Sequence, residues 1–355
     1  MLSILFRWLL RLFILVVFCI FALAWLGVRH LQSPMAIGSQ PIVYLLQPGG
    51  SLGSVVYNLS KDNRLKHPRL LLLYSRLSGR AQQVQAGEYV LTQGLTPLDL
   101  LAKLESGDVK QYQFALIEGW TVRQALTALS TQSIIQQRLD TGSKKWHEEI
   151  ISDAKYPSPE GLFFPDTYRV IRGETDLQLL TRAHKKLLAV LNEEWRQRDL
   201  GLPYQSPYDA LIMASLIEKE TGVAHERGER AGVFVRRLEK RMRLQTDPAV
   251  IYGLGTDFDG NLRSRHLKDS GNLYNTYRHH GLPPTPIALV GREAIHAALH
   301  PKQGEALYFV AKGDGSHYFS KTLEEHSRAV RQYQINQRRE NYRSAPPASS
   351  DISRP

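Results

Sequence analysis

One glutamate is a candidate for chemistry because the residues before it predict a buried helix. Ser206-Pro207-Tyr208-Asp209 is a capping box with proline at the first helical position, and the run from Ala210 to Glu218 is apolar on nearly every face. A carboxylate at the end of such a run is either paired or held with a raised pKa. A general acid at neutral pH needs a raised pKa, so Glu218 is the candidate catalytic acid.

A structural role is the alternative for Glu218. The carboxylate would then end the helix in an ion pair with Arg227, Arg230 or Arg236. Ion pairs of this kind are common and also perturb carboxyl groups, so composition alone favours the structural role. The two residues that follow, Lys219 and Glu220, are predicted to form a solvated edge.

A repeated signal precedes this helix. Glycine, any residue, then serine or threonine is followed by leucine ten positions after the glycine, and the three copies begin at Gly49, Gly94 and Gly119. Each copy predicts a glycine turn and a hydroxyl N-cap that opens a short helix. The apolar runs before the turns predict strands at 42–46, 88–91 and 114–117. The bland interpretation is a repeated supersecondary unit, and the functional one is a pair of LysM-like glycan-binding units.

The N-terminus predicts a membrane anchor. The uncharged apolar run Leu12 to Val28 spans about 25 Å as a helix, and Arg7 and Arg11 before it place the N-terminus in the cytoplasm. The alternative is a cleaved signal peptide, because Ala22-Leu23-Ala24 has the spacing of a cleavage site. The apolar run continues past that point, which favours a retained anchor and an exported remainder.

Composition narrows the function classes. The chain has 355 residues, with 43% hydrophobic and 22% charged residues, so it is globular and long enough for two soluble domains. One cysteine excludes a disulfide framework, and the 12 histidines include no recognisable metal-ligand spacing. The net charge of +11 favours anionic partners, and export argues against nucleic acid.

Several ordered motifs resemble those of the YceG-like family of endolytic murein transglycosylases. The resemblance covers nearly the whole chain, with one departure, Val290 in place of an expected proline before Gly291, which should loosen a turn. The motifs are Pro159–Gly161, Phe164–Tyr168, Ser215–Thr221, Val233-Phe234, Arg237-Leu238, Met242–Pro248, Val250–Gly253, Tyr274–Tyr277, Gly281–Pro284 and His317–Phe319.

The resemblance implies an activity and an essential residue. The family cleaves nascent peptidoglycan strands internally, between N-acetylmuramic acid and N-acetylglucosamine, and leaves a 1,6-anhydromuramyl end. Its essential glutamate maps onto Glu218. The chemistry requires no cofactor or metal, and the expected partners are glycan strands, the cytoplasmic membrane and peptidoglycan synthases.

Four further polar residues are candidates for positioning the substrate. In order of preference they are Asp247, Asn275, Tyr277 and Asp166. Three of them also have a structural alternative: Asp247 could cap a helix, Asn275 could hold a turn, and Asp166 after a proline is ordinary turn chemistry.

The predicted architecture is α+β. It comprises a cytoplasmic N-terminus (1–11), a transmembrane helix (12–28), a LysM-like subdomain (40–115), a catalytic domain (116–340) and a disordered tail (344–355). The catalytic domain would lie on the outer, periplasmic face of the inner membrane. Two alternatives stay open: a membrane-anchored scaffold that binds peptidoglycan without catalysis, and a muramidase that uses water.

Overall fold

A computed structural model describes residues 2–143, 145–151, 153, 156–220 and 224–336. The predicted tail at 344–355 and Thr221 of the motif around Glu218 lie outside the described residues. The described chain is a mixture of helices and short strands, in agreement with the α+β prediction.

The helices are α1 (Leu2–Leu31), α2 (Leu52–Lys61), α3 (Pro68–Leu77), α4 (Pro97–Ser106), α5 (Val122–Ser130), α6 (Asp176–Arg196), α7 (Pro207–Glu220), α8 (Arg227–Glu239), α9 (Asp247–Leu254), α10 (Ser264–Lys268), α11 (Arg292–Leu299) and α12 (Leu323–Val330). The strands are β1 (Ile42–Leu46), β2 (Gly87–Leu91), β3 (Gln111–Ala115), β4 (Thr167–Ile171), β5 (Tyr308–Ala311) and β6 (His317–Ser320). They pair as β1 with β2, β3 with β4, and β5 with β6.

The described residues fall into two compact units. The first contains 2–112 together with the short segments Ile134–Gln136 and Arg169–Glu174, and the second contains the other residues. The return of Arg169–Glu174 to the first unit has a visible cause, because Arg172 donates to the buried carboxylate of Glu88 at 2.8 Å. Sequence order alone therefore does not define either unit.

The N-terminal helix α1 runs without interruption through the predicted span at 12–28. Its segment Phe6–Leu31 is long and apolar enough to cross a membrane. The last residue, Leu31, is buried in the core of the first unit, and so are Met35 and Ile37 after it. Because Met35 also donates to the carbonyl of Leu95 at 2.8 Å, the chain that leaves the helix is held in place.

The three repeated turns have the predicted geometry. Gly49, Gly94 and Gly119 all have positive φ, between 76° and 86°, a region in which glycine lacks the steric cost of a side chain. The hydroxyls of Ser51, Thr96 and Thr121 each accept from the backbone N–H three residues later and open α2, α4 and α5. The predicted N-caps are confirmed.

One strand prediction needs correction, and one helix was missed. The third strand was predicted at 114–117 but lies at Gln111–Ala115, three residues earlier at its start. Helix α3 was not predicted. Its four consecutive leucines, Leu70 to Leu73, have no helical period, although Pro68 at its first position is a start signal.

Strands β5 and β6 form a hairpin around Gly313-Asp314-Gly315. They pair antiparallel from Tyr308 opposite Ser320 to Ala311 opposite His317. The Asp314 carboxylate accepts from the backbone N–H and the hydroxyl of Ser316, which fixes the turn.

Candidate active site

Helix α7 is the rigid element that carries Glu218. The predicted capping box is present: Asp209 N–H donates to the Ser206 hydroxyl at 3.3 Å, and Ser206 N–H donates to the Asp209 carboxylate at 3.2 Å. Every residue from Ala210 to Ile217 is buried, and the helix packs against α6, α8, α9 and α11. The first residue of α7 to emerge from this core is Glu218.

The Glu218 carboxyl group is half-buried and accepts one hydrogen bond, from Gly291 N–H at 3.1 Å. Burial raises its pKa, and the negative charge of Glu118 adds to that rise. The Gly291 hydrogen bond and the charges of Arg227 and Lys219 act in the opposite direction, without cancelling it. Glu218 therefore keeps its proton to a higher pH than an ordinary glutamate does.

The ion-pair alternative for Glu218 is wrong among the residues that the structure describes. Arg230 pairs with Glu220 at 3.4 Å and Glu226 at 3.8 Å. Arg236 donates to the backbone carbonyls of Ala306 and Lys302. Arg227 acts on Glu218 through its charge but forms no ion pair with it.

The segment 287–291 fixes the surroundings of Glu218. Ile287 N–H donates to the hydroxyl of Ser215 on α7 at 3.0 Å. Leu289 exchanges two hydrogen bonds with the turn at Gly119-Trp120, at 2.9 and 2.7 Å. Gly291 also bonds to Glu218. Alternate residues of the segment, at 287, 289 and 291, therefore link α7 to the Gly119-Trp120 turn.

The segment around Val290 is tightly packed although the expected proline is absent. Val290 is fully buried, as are Ala288 and Leu289 before it. The hydrogen bonds of the neighbouring residues and this packing hold the backbone where a proline was expected to do so.

Two glutamates that the sequence reasoning missed lie next to the turn at Gly119-Trp120. Glu118, directly before Gly119, is the residue whose negative charge adds to the rise in the pKa of Glu218 caused by burial. Glu160 is buried, accepts from Val122 N–H at 3.0 Å and from the Tyr252 hydroxyl at 3.1 Å, and burial raises its pKa to about 7. The Pro159-Glu160-Gly161 motif was the available signal for Glu160.

The prediction of a solvated edge holds for Lys219 and is wrong for Glu220. Lys219 is exposed, whereas Glu220 accepts from the Thr246 hydroxyl at 2.6 Å and pairs with the buried guanidinium of Arg230. Burial raises the pKa of Glu220. The Glu220 side chain points inward because the Arg230 guanidinium and the Thr246 hydroxyl bind its carboxylate there.

Arg230 is the centre of a buried polar network. Its guanidinium donates to Nε2 of His317 at 2.8 Å, and the His317 Nδ1 lies 2.8 Å from the Glu226 carboxylate. Burial lowers the pKa of His317, which suits a neutral ring that accepts on one nitrogen and donates on the other. The network joins α7, α8 and β6 behind the last turn of α7.

Two of the predicted positioning residues are brought together. The Tyr277 hydroxyl donates to the Asp247 carboxylate at 2.7 Å. Asp247 is exposed at the first position of α9 and follows Thr246, the residue bonded to Glu220. This pair is therefore connected, through one residue, to the last turn of α7.

The other two predicted residues hold local structure. The buried side-chain amide of Asn275 donates to the carbonyls of His266, Leu267 and Asp269, the turn-holding role left open above. Asp166 accepts from Thr167 N–H at 2.7 Å and forms an ion pair with Lys186, which lowers the pKa of Asp166.

A group with metal-ligand spacing lies elsewhere in the second unit. Ligand atoms of Glu194, His296 and His300 fall within 4.8 Å of one another. Each residue is already engaged: Glu194 with Arg292 at 2.7 Å and His296 at 2.9 Å, and His300 with Asp199 at 2.8 Å. An ion would have to displace these partners.

Comparison with known protein families shows which family the chain belongs to. The sequence profile of the YceG-like family matches residues 44–332, which include every residue discussed around Glu218. The chain belongs to the YceG-like family.

Relatives of this YceG-like chain carry an informative name. A protein of Bacillus subtilis called endolytic murein transglycosylase is 32% identical over 328 residues, covering 87% of this chain and 90% of that protein. A Streptococcus pneumoniae protein of the same name is 27% identical over 335 residues, covering 84% of this chain and 60% of that protein. A crystal structure of a YceG-like protein of Listeria monocytogenes, 27% identical, covers 82% of this chain and 99% of that one with a TM-score of 0.49.

Proposed function

We propose that this chain is an endolytic murein transglycosylase, a lyase that acts on peptidoglycan. The observation that carries the proposal is Glu218, a half-buried carboxyl group with a raised pKa, no ion pair among the described residues and one backbone donor. Membership of the YceG-like family and the names of the relatives support it.

The proposed reaction needs one proton-transferring carboxyl group. Glu218 protonates the oxygen between N-acetylmuramic acid and N-acetylglucosamine, and the bond from C1 to that oxygen breaks. The muramyl 6-hydroxyl then attacks C1 and gives its proton to the Glu218 carboxylate, which restores the acid. Because the nucleophile belongs to the substrate, no second carboxylate is needed to activate water. The Gly291 N–H stabilises Glu218 while it is ionised.

We propose that some of the predicted polar residues contact the substrate directly and that others act through neighbouring residues. Asp247 is exposed and accepts from the half-buried Tyr277 hydroxyl, which leaves carboxylate lone pairs for sugar hydroxyls. Asn275 supports the same loop from below, since its side-chain oxygen accepts from Tyr277 N–H at 3.1 Å. Asp166 acts through its ion pair with Lys186.

Product analysis tests the reaction type. Purified full-length protein in detergent is incubated with long glycan strands, and the fragments are separated by length and examined by mass spectrometry. We expect intermediate lengths from internal cleavage, with 1,6-anhydromuramyl ends. Reducing ends indicate a muramidase, and intact strands that stay bound indicate a scaffold.

One helix among the described residues, at the N-terminus, is long and apolar enough to cross a membrane, which suggests a single-pass membrane anchor. We propose that its N-terminus is cytoplasmic and the catalytic unit periplasmic, on the basis of Arg7 and Arg11 before the apolar run. The burial of Leu31 supports retention of the helix, because α1 ends inside the core of the first unit.

Retention of the anchor gives a direct mass measurement. We expect protein extracted from membranes to begin at Met1 or Leu2 and to remain with the membrane after a carbonate wash. An intact mass equal to that of a chain beginning at Trp25 would mean cleavage after Ala24 and would refute the anchor.

A glycan-binding role is proposed for the LysM-like region. Antiparallel β1 and β2 with α2 and α3 between them form a compact core that leaves large side chains exposed, among them Tyr57, Leu73 and Leu77. Exposed aromatic and apolar groups of this kind mark interaction surfaces. Binding there would hold nascent strands near the membrane, where cleavage ends elongation beside the synthases.

A further inference from the structure

The carboxylate of Glu118 is exposed. It follows β3 and precedes the Gly119 turn, and among the described residues its side chain has no hydrogen bond or ion pair. A carboxylate of this kind on a surface loop is ordinary in itself. Two features distinguish Glu118: the turn that follows it is hydrogen-bonded to the elements around Glu218, and its side chain lies beside Gly291.

The turn after Glu118 is fixed to the elements that carry Glu218. Gly119 N–H donates to the Leu289 carbonyl at 2.9 Å, and Lys219, the residue after Glu218, donates from Nζ to the Gly119 carbonyl at 3.2 Å. Glu160 holds the start of α5 through Val122 N–H. The position of the Glu118 backbone is therefore determined by α7 and by the segment 287–291.

Gly291 lies between the two carboxyl groups. Its N–H binds Glu218 at 3.1 Å, and a Cβ atom placed at 291 would lie 2.0 Å from Oε1 of Glu118. The backbone does not require glycine here, since its φ of −74° is open to any residue. A side chain at 291 would instead have to displace the carboxylate of Glu118, whose atoms are the nearest to that position. With standard backbone geometry, oxygens of Glu118 and Glu218 are at most about 8 Å apart.

We propose that Glu118 is a second carboxylate of the active site, which faces the positive charge that develops on the sugar ring while Glu218 moves the proton. The inference rests on the proposed function. Cleavage of a glycosidic bond passes through a state with oxocarbenium character, which a nearby anion stabilises. Glu118 forms no covalent bond and takes no proton in this role.

The electrostatics of Glu218 support this arrangement. The charge of Glu118 raises the pKa of Glu218, whereas Arg227 on α8 and Lys219 on α7 lower it. Glu118 therefore also helps Glu218 to hold the proton that it must deliver. A substitution that removes the Glu118 charge should affect both the rate and its pH dependence.

The first test compares Glu118→Gln with Glu293→Gln, an exposed glutamate two residues after Gly291. Rates of glycan cleavage by the full chain in detergent are measured across pH. We expect Glu118→Gln to lower kcat about 10²-fold with little change in KM, because the interaction exists only in the transition state. The pH above which activity falls should also decrease, because the pKa of Glu218 falls. Glu293→Gln should match the wild type.

The second test moves Glu118 without removing its charge. Alanine can adopt the backbone conformation of Gly291, but the Cβ atom that Gly291→Ala adds forces the Glu118 carboxylate aside. We expect a lower kcat in the wild-type background and no additional loss in a Glu118→Ala background, where the clash is absent. Circular dichroism verifies that each variant is folded.

Either of two outcomes overturns the inference. One is a Glu118→Gln variant with the kcat and pH profile of Glu293→Gln. The other is a rise in KM alone, which would make Glu118 a binding residue without a role in the transition state. These outcomes are independent of the proposed function, which the end groups made by the wild type decide.

Discussion

Glu218→Gln is expected to lower the rate of glycan cleavage by about 10²–10⁴-fold, the usual contribution of a proton-transferring group. The amide has nearly the shape of the carboxyl group and can still accept from Gly291 N–H, but it has no proton to deliver to the leaving oxygen. The measurement is cleavage of purified glycan strands by the full-length variant, with Glu293→Gln as the matched glutamate-to-glutamine control. A variant that keeps most of the wild-type activity would contradict the assignment of Glu218.

The same substitution should also change stability, in the favourable direction. The folded-state pKa of Glu218 lies above the ordinary value of 4.5, so ionisation at higher pH opposes folding. Glutamine removes this cost. We expect the variant to unfold at a higher temperature than the wild type near pH 8, with the difference vanishing below about pH 4. A loss of activity with a lower unfolding temperature at pH 8 would instead indicate a damaged fold.

Arg230→Met is expected to lower the stability of the second unit by about 3–5 kcal/mol. Arg230 is 1% exposed, and its removal leaves the carboxylates of Glu220 and Glu226 without their buried cation. For a unit of this size the unfolding temperature should fall by roughly 10 °C. Calorimetry of the full chain in detergent measures this transition.

The control for Arg230→Met is Arg328→Met. Arg328 forms an exposed ion pair with Glu324 on α12, which contributes less than about 1 kcal/mol. Equal unfolding temperatures for the two variants would mean that the Arg230 network does not stabilise the unit. Adding Glu220→Gln and Glu226→Gln to Arg230→Met should recover part of the loss, since the unpaired charges are then gone.

Local signals predicted the parts of the structure that form over a few residues. The hydroxyl caps at Ser51, Thr96 and Thr121 and the capping box that begins at Ser206 depend on side chains that reach only three residues along the chain. The uniform apolar character of 210–217 predicted burial on every side of α7, and the structure places the helix in the core.

Contacts between distant residues could not be predicted in this way. The Gly291 bond to Glu218 joins residues 73 positions apart, and the Arg230 contact with His317 joins residues 87 positions apart. Glu220 was predicted to lie at a solvated edge, and only the fold reveals Arg230 and Thr246 beside it. Glu118 was missed for the same reason, since its importance comes from Gly291.

Cleavage in water enriched in oxygen-18 tests the central claim most directly. If the muramyl 6-hydroxyl is the nucleophile and Glu218 the only carboxyl group that transfers a proton, the new muramyl ends are anhydro ends and contain no oxygen-18. Mass spectrometry of fragments made by the wild type, with Glu218→Gln as the blank, should therefore find unlabelled ends in the wild type and no new ends in the variant. Oxygen-18 at the new muramyl C1 would mean that water attacks, and would contradict transglycosylation.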